Sequence, residues 1–128
     1  MKKIEDFKVA FPFMYDNVVC GFCCPDGWID LVWELSERIY SILVKPENEK
    51  LKLYYRIEQI KEKFGGLRFS PNTGTEETNA LITEAEKKSL SICETCGKPG
   101  VLRAGGWIQT LCDEHAKGRK PFKWEDLE

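Results

Sequence analysis

The chain has 128 residues, a formal net charge of −2 and 42% hydrophobic residues, with four Trp, four Tyr and seven Phe. This composition supplies enough apolar surface for a folded domain and excludes a largely disordered chain. Because 19 Lys and Arg face 21 Asp and Glu, the overall charge argues weakly against a protein that covers nucleic acid, although a local basic patch stays open.

The first residues and the longest apolar stretch indicate in which cellular compartment the protein is expected. Residues 1–6 (MKKIED) contain acidic side chains where a secretion signal needs an apolar run. The stretch 28–44 is interrupted by Asp30, Glu34, Glu37 and Arg38, so we expect no membrane span and no membrane partner. We therefore predict a cytoplasmic protein whose thiols are reduced.

The segment up to residue 48 contains a clear helix signal. Residues 1–19 mix aromatic and polar side chains, which predicts an irregular or short extended lead-in. Farther on, apolar side chains recur at steps of three and four, which predicts a helix with one buried face. Asp26 is its expected N-cap, and the segment 45–48 (KPEN) is its expected end. The recurring side chains are Trp28, Val32, Leu35, Ile39 and Ile42.

Residues 51–64 fit two structures. Four apolar residues at helical spacing would give a helix that ends at Gly65. The β-forming residues at 53–57 and 67–69 instead favour two strands joined by a Gly65-Gly66 turn, because glycine adopts the positive φ angles of tight turns. We prefer the hairpin, and whether residues 51–60 are strand or helix stays open. The residues at helical spacing are Leu53, Ile57, Ile60 and Phe64.

Two charged residues of this hairpin are of interest for function. Glu62 shares a face with Phe69, and a carboxylate on an apolar face is costly unless it is paired. Either Glu62 belongs to a binding hot spot, or a bulge at the glycines turns it outward; the bulge is the simpler interpretation. Arg68 lies on the opposite face and is a candidate contact for a partner or a nucleic acid.

A second helix is predicted ahead of the C-terminal third. Thr73 and Glu76 have the spacing of a capping box, and the helix that they open runs to about Ile92. It leads directly into the first cysteine of a metal-ligand motif. The side chains on its predicted inner face are Leu81, Ile82, Ala85, Ser89 and Ile92.

The most specific pattern in the chain is C-x2-C followed by C-x2-H. Cys93 and Cys96 form the first pair, Cys112 and His115 form the second, and fifteen residues separate the pairs. Each pair offers two donors from one turn, and the segment between them is long enough for a hairpin that brings the pairs together. Four protein ligands leave no open position, so the pattern predicts one structural Zn2+ and not a catalytic one.

The residues around these ligands predict a treble-clef-like finger. Cys93–Gly97 is typical of a zinc knuckle, residues 101–111 form a hairpin around Gly105-Gly106, and Cys112 and His115 lie at the first turn of a short helix. Metal binding would couple to the folding of the last third of the chain. Some treble-clef proteins are nucleases, but that chemistry needs a general base in addition to the ligands. His115 is the single histidine, so we expect no such activity.

A second cysteine group lies near the N-terminus. Cys20, Cys23 and Cys24 include a C-x2-C that would make half of another metal site, but no further Cys or His completes it. Closure would need Asp16, Asp26 or another chain. The alternatives are buried or reduced structural thiols, which we favour, a second metal, or redox chemistry at a helix start.

The C-terminal tail mixes cations with aromatic side chains. Such a mixture can stack on bases and neutralise phosphates, yet residues 125–128 (EDLE) cancel much of the charge. The simpler interpretation is that Phe122 and Trp124 tie the tail to the core. We likewise expect Trp28 and Trp107 to be core residues. The candidate contacts for a nucleic acid or a partner in this region are Lys98, Arg103, Lys117, Arg119, Lys120 and Lys123.

Several motifs together resemble a known group of proteins. Residues 59–69 (QIKEKFGGLRF), 92–97 (ICETCG) and 106–115 (GWIQTLCDEH), with 26–28 (DGW), are similar in order to a family of small proteins from bacterial, prophage and phage genomes. The resemblance covers about three-quarters of the chain and implies a phage or mobile-element context. It implies no catalytic residues. Residues 45–55 and Cys23-Cys24 fall outside it.

These patterns predict an α+β protein in which a small helix and hairpin core (1–92) and a zinc unit with tail (93–128) pack as one domain. We expect a zinc-stabilised protein-binding module, a phage-borne modulator or inhibitor of a host protein system that acts in the host cytoplasm. No nucleophile–base pair is recognisable, so we expect no enzyme. The alternative is a nucleic-acid-binding zinc finger: from Cys93 to Trp124 six basic residues face three acidic ones.

Overall fold

The computed structural model describes residues 2–18 and 22–123. Within these residues the chain forms five α-helices, four strands, and short 3-10 turns at Asp26–Trp28 and Pro46–Asn48. In chain order the elements are α1 (Ile4–Ala10), α2 (Ile29–Leu43), α3 (Glu49–Tyr54), β1 (Ile57–Lys63), β2 (Gly66–Pro71), α4 (Glu76–Ser89), β3 (Val101–Arg103), β4 (Gln109–Leu111) and α5 (Asp113–Ala116). The strands pair as two antiparallel hairpins, β1–β2 and β3–β4. The predicted α+β class is confirmed.

The main core lies between α2, α4 and the first hairpin, since α2 packs on α4 and α4 packs on β2. The periodic side chains of α2 are buried there, as predicted. Ile60 of β1 pairs with Phe69 of β2, and both side chains face this core. None of the described helices has both the length and the apolar character needed to cross a bilayer.

The N-terminal segment differs from the prediction, because residues 4–10 form α1. The carboxylate of Asp6 accepts a hydrogen bond from the Lys3 N–H at 2.8 Å, which satisfies a backbone donor at the start of the helix. Phe7 is the buried residue of α1, and its ring lies 4.9 Å from that of Trp33 in an edge-on arrangement. With one buried position and Lys3 at the N-cap, α1 lacks both the periodicity and the cap that mark a helix.

The start of α2 also differs from the prediction. Asp26 was expected to cap the helix, but it opens the 3-10 turn, and neither this turn nor α2 has a side-chain cap. The helix ends at Leu43, ahead of Pro46. The predicted end of the helix ahead of residues 45–48 is confirmed. A helix stops there because proline lacks the N–H that would continue it.

The ambiguous stretch 51–64 contains both predicted structures. Residues 49–54 are helical, so the assignment of Leu53 and Tyr54 to a strand is wrong. The hairpin begins at Ile57, and Lys63 pairs with Gly66. Its two-residue turn is therefore Phe64-Gly65, one position earlier than predicted, with φ of 54° and 82°. Two positive φ angles are the signature of a type I′ turn.

Glu62 is held by the turn itself. The N–H of Gly65 donates to the carboxylate of Glu62 at 2.6 Å. The expected bulge at the glycines is wrong, since the register of β1–β2 is irregular between Ile57 and Gln59 instead.

The α4 helix is confirmed with different ends. Thr75, and not Thr73, is the N-cap: its hydroxyl accepts from the Thr78 N–H at 3.3 Å, and the Thr78 hydroxyl accepts from the Thr75 N–H at 2.9 Å. The helix ends at Ser89 and not at the predicted Ile92. Ile92 instead pairs with Pro99 in an isolated bridge. Its buried side chains include Ile82, Ala85 and Ser89, as predicted.

Candidate metal centre

Four donor atoms converge near the C-terminus. The Sγ atoms of Cys93, Cys96 and Cys112 and a ring nitrogen of His115 all lie within 4.8 Å of one another. The Cys96 and Cys112 sulfurs are 3.7 Å apart, and the Nδ1 atom of His115 is 3.2 Å from the Cys112 sulfur and 3.8 Å from that of Cys93. The predicted ligand set is therefore assembled at one point.

These distances fit a tetrahedral ion. Metal bonds of 2.3 Å to sulfur and 2.0–2.1 Å to nitrogen, at tetrahedral angles, place two sulfurs about 3.8 Å apart and a sulfur and a nitrogen about 3.6 Å apart. Three thiols and one imidazole are borderline to soft donors, and together they satisfy four positions. The cluster is compatible with a metal ion that is fully coordinated by the chain.

The first pair of ligands lies on a tight backbone loop. The Cys93 N–H donates to the Lys98 carbonyl at 2.7 Å, and the Gly97 N–H donates to the Cys93 carbonyl at 2.9 Å. Gly97 has a φ of 83°, which glycine adopts without strain. Burial raises the pKa of the Cys93 thiol, but backbone hydrogen bonds, the largest from Cys112 and Cys96, outweigh it and lower the pKa to about 6. A thiolate is thus favoured where a metal ligand is needed.

The second pair follows the β3–β4 hairpin. Leu102 pairs with Thr110, and the strand leads into Cys112, which is the N-cap residue of α5. His115 lies in this helix, so both ligands come from its first turn, as predicted. The helix ends at Ala116, and its C-cap residue Lys117 has a left-handed φ of 50°. Knuckle, hairpin and ligand-bearing helix appear in the predicted order.

Residues 26–28 pack directly onto the knuckle. The Gly27 N–H donates to the Glu94 carbonyl at 2.9 Å, and Trp28 Nε1 donates to the Ile92 carbonyl at 2.9 Å. A Cβ atom on Gly27 would lie 2.0 Å from the Cys93 carbonyl oxygen. Glycine is therefore required by close backbone approach. Nothing in the local sequence signals this contact; residues 26–28 were interpreted as a helix start and as part of the family resemblance.

The tip of the first hairpin packs onto the β3–β4 hairpin. The Thr110 hydroxyl donates to the Gly65 carbonyl at 2.7 Å, and Thr110 is fully buried. A Cβ atom on Gly65 would lie 2.5 Å from Leu102 Cδ2. The β1–β2 turn and the β3–β4 hairpin therefore approach each other through glycine.

A chain of polar side chains runs beside the cluster. Gln109 Nε2 donates to Glu94 Oε1 at 2.7 Å, and Arg119 Nη1 donates to Gln109 Oε1 at 2.6 Å. Burial raises the pKa of Glu94, and the carboxylate of Glu62 adds to the effect. Among the described residues, Glu94 Oε2 is a buried oxygen that accepts no hydrogen bond.

Two of the predicted contact residues serve the finger internally. Arg103 is buried; its guanidinium donates to the carbonyls of Leu111 and Arg119 and to the Asp113 carboxylate, the last at 2.9 Å. Arg119 donates to the carbonyls of Ala104 and Trp107. The remaining candidates of this set are exposed: Arg68, Lys98, Lys117, Lys120 and Lys123.

The aromatic predictions have mixed outcomes. Trp28 is fully buried, but Trp107 is 66% exposed, so its assignment to the core is wrong. Its strand is shorter than expected, since β4 begins at Gln109 and leaves Trp107 in the loop. Phe122 is half-buried, and its N–H donates to the Leu102 carbonyl at 2.8 Å. Trp124 lies outside the described residues.

The N-terminal cysteines are not gathered into a second donor group within 2–18 and 22–123. Cys20 falls outside this range, and Cys23 is exposed. Burial, with a smaller contribution from the Asp26 carboxylate, raises the pKa of the Cys24 thiol to about 12. Its Sγ lies 3.4 Å from the Pro25 carbonyl, as a protonated thiol donor would. Cys24 is therefore a protonated thiol at neutral pH.

Together these features define the chain as a small α+β protein with a candidate Cys3His metal centre near its C-terminus. No protein-family model, curated protein or solved structure matches the chain. The resemblance to phage and prophage proteins thus stays a prediction.

Proposed function

We propose that the chain is a zinc-stabilised protein-binding module that a phage uses in the host cytoplasm to modulate or inhibit a host protein system. Zinc is favoured because three thiols and an imidazole at tetrahedral distances suit this ion best among common metals. The four ligands leave no position for a substrate, so the ion stabilises the fold.

The observation that carries the binding role is a pair of exposed aromatic side chains. Phe64 is 68% exposed and Trp107 is 66% exposed, and both line one cleft of about 390 Å³. Large aromatic side chains left in solvent on a folded surface are typical of protein-binding hot spots. The contact between the two hairpins holds them near each other, because the Thr110 hydroxyl ties the turn that carries Phe64 to the β3–β4 hairpin.

The alternative of a nucleic-acid-binding finger loses two of its six cations. Arg103 and Arg119 direct their guanidinium groups to backbone carbonyls and internal side chains. A phosphate would have to compete with these bonds, whereas phosphate-binding cations usually point into solvent.

Metal content tests the first half of the proposal. We expect elemental analysis to give one zinc per chain, a Cys93→Ser variant to give less than a tenth of this, and a Cys23→Ser variant to match the unmodified protein. A metal-free protein whose melting is unaffected by a strong chelator would overturn the structural role. Two ions per chain, reduced to one in the Cys23→Ser variant, would place a second metal at the N-terminal cysteines.

Partner capture tests the second half. The zinc-loaded protein is immobilised and exposed to lysate of a bacterial host, and separately titrated with duplex DNA and single-stranded RNA at 50 mM and 200 mM salt. We expect a discrete protein partner, with nucleic-acid binding absent or weak. No specific protein, together with tight and steeply salt-dependent nucleic-acid binding, would establish the alternative.

A further inference from the structure

Two adjoining cavities meet at the tip of the β1–β2 hairpin. They have volumes of about 390 and 440 Å³ and share Lys63, Phe64 and Ile108 in their linings. Trp107 lines the first cavity, and Phe122 lines the second. We call this continuous surface the tip cleft.

The backbone at Phe64 is unusual. Its φ of 54° is left-handed, a conformation that is unfavourable for residues other than Gly, Asn and Asp. Gly or Asn normally fills this place in a type I′ turn. Phe13, which also has a positive φ, is half-buried and stacks on Tyr40 at 5.8 Å. Phe64 is mostly exposed, so packing within the described chain offsets little of the cost. Strain of this kind, at an exposed aromatic residue, points to a ligand.

The floor of the tip cleft is apolar and is built partly on the β3–β4 hairpin. Leu90 is 40% exposed there, and Leu102 and Ile108 are half-buried. The Phe122 N–H bonds the Leu102 carbonyl at 2.8 Å, which fixes the far wall. A preformed apolar floor gains free energy when a partner covers it, with little ordering cost.

One cation beside the floor is available to a partner. The guanidinium group of Arg68 is exposed and makes no hydrogen bond or ion pair within the described part of the chain. Lys63 has its Nζ atom 5.8 Å from the centre of the Phe64 ring. The two carboxylates of the lining are engaged, since Glu62 accepts from the Gly65 N–H and Glu86 accepts from the Phe69 N–H. The lining thus carries two cations and two carboxylates, and of these four side chains Arg68 is the one without such a contact in the described part of the chain.

We infer that the tip cleft binds a segment of a partner protein in which a large apolar side chain is flanked by Asp or Glu. The inference rests on the proposed protein-binding function and specifies its site and the chemistry of its partner. The apolar side chain would pack between Phe64 and Trp107 on the floor, and its neighbouring carboxylates would pair with Arg68 and Lys63.

The test uses random 12-residue peptides displayed on phage, selected against the immobilised zinc-loaded protein. The critical variant is Phe64→Asn, which removes the ring and places a favoured residue in the left-handed turn. It should fold at least as stably as the unmodified protein, checked by thermal melting. The matched control is Tyr54→Ala, since Tyr54 is 69% exposed on α3 and does not line the tip cleft.

We expect the selected peptides to carry Leu, Ile, Phe or Trp next to acidic residues. Titration of one such synthetic peptide should show binding at least tenfold weaker for Phe64→Asn and unchanged for Tyr54→Ala. For Arg68→Gln we expect binding several-fold weaker and less sensitive to salt.

Failures of the two proposals can be told apart. Equal peptide binding by Phe64→Asn and the unmodified protein would rule out the tip cleft as the binding site and would leave the proposed protein-binding function intact. Enrichment of basic or uncharged peptides would overturn the inferred chemistry of the partner. Tight single-stranded RNA binding that is lost in Phe64→Asn, with no peptide selected and no protein captured from lysate, would overturn both.

Discussion

The indole N–H of Trp28 donates a hydrogen bond of 2.9 Å to the carbonyl oxygen of Ile92, 64 residues further along the chain. Ile92 directly precedes Cys93, the first ligand of the candidate metal centre. The Trp28 bond and the bond from the Gly27 N–H to the Glu94 carbonyl together tie the start of α2 to the backbone on both sides of Cys93. Since the Trp28 ring is fully buried in the core, we expect core and metal centre to unfold together.

Gly27→Ala is expected to destabilise both the fold and the metal centre. The added methyl group would meet the Cys93 carbonyl oxygen at 2.0 Å and the Glu94 carbonyl carbon at 2.7 Å, and backbone atoms cannot rotate away. We expect a loss of about 1–3 kcal/mol in the free energy of unfolding, measured by urea denaturation at fixed zinc concentration, and faster transfer of zinc to a colorimetric chelator.

The matched control for this prediction is Gly106→Ala. A Cβ atom at Gly106 meets nothing within 4 Å, and its φ is not positive. Its stability should stay close to that of the unmodified protein. Equal behaviour of the two variants would contradict the close approach at Gly27.

Trp28→Phe is expected to lower the free energy of unfolding by about 1–3 kcal/mol, because the Ile92 carbonyl loses its donor and the smaller ring leaves a void. Trp107→Phe, at an exposed position, should change it little. Urea denaturation followed by circular dichroism measures both. A larger effect at Trp107 would show that the two indoles have been assigned the wrong environments.

Arg103→Lys is expected to be clearly destabilising, by about 1–3 kcal/mol. A lysine cannot reproduce the guanidinium bonds to the carbonyls of Leu111 and Arg119 from a buried position. Asp113→Asn should cost much less, since the Asp113 side chain is fully exposed and stays hydrated without its partner. Comparable losses of stability in the two variants would mean that the ion pair between Arg103 and Asp113, and not the bonds to the carbonyls, carries the effect. Thermal melts of both at two salt concentrations separate these outcomes.

Cys24 is expected to resist alkylation in the folded protein. Burial and the Asp26 carboxylate raise its pKa to about 12, so at pH 8 only about one thiol in ten thousand is the reactive thiolate. Raising the pH from 8 to 9 should increase its rate about tenfold. Iodoacetamide labelling read by peptide mass spectrometry measures this rate, and the same protein in 8 M urea provides the reference. Similar rates in the folded and unfolded states would contradict the burial of this thiol.

The parts of the site that depend on local spacing could be predicted from the sequence. Cys93, Cys96, Cys112 and His115 come together because each pair sits on one turn and a hairpin closes the gap between them. The buried face of α2 follows in the same way from the helical repeat of apolar residues.

The corrections arise from a contact far apart in sequence in one case and from a choice among neighbouring caps in another. Residues 4–10 form α1 because the Phe7 ring finds Trp33 and the surrounding core, not because their own propensity is high. Thr75 replaces Thr73 as a cap within one loop, where several threonines compete for the same N–H groups.

What the sequence by itself determined was the ligand set of the metal centre, the helical repeat of α2 and the presence of a hairpin before residue 71, because each is encoded within one turn or one element. Only the tertiary structure decided that Gly27 packs on the knuckle, that the Arg103 guanidinium makes its hydrogen bonds inside the finger and that Phe64 and Trp107 share an exposed cleft. These relationships depend on how separate elements pack in three dimensions, and packing is set by all the buried surfaces at once.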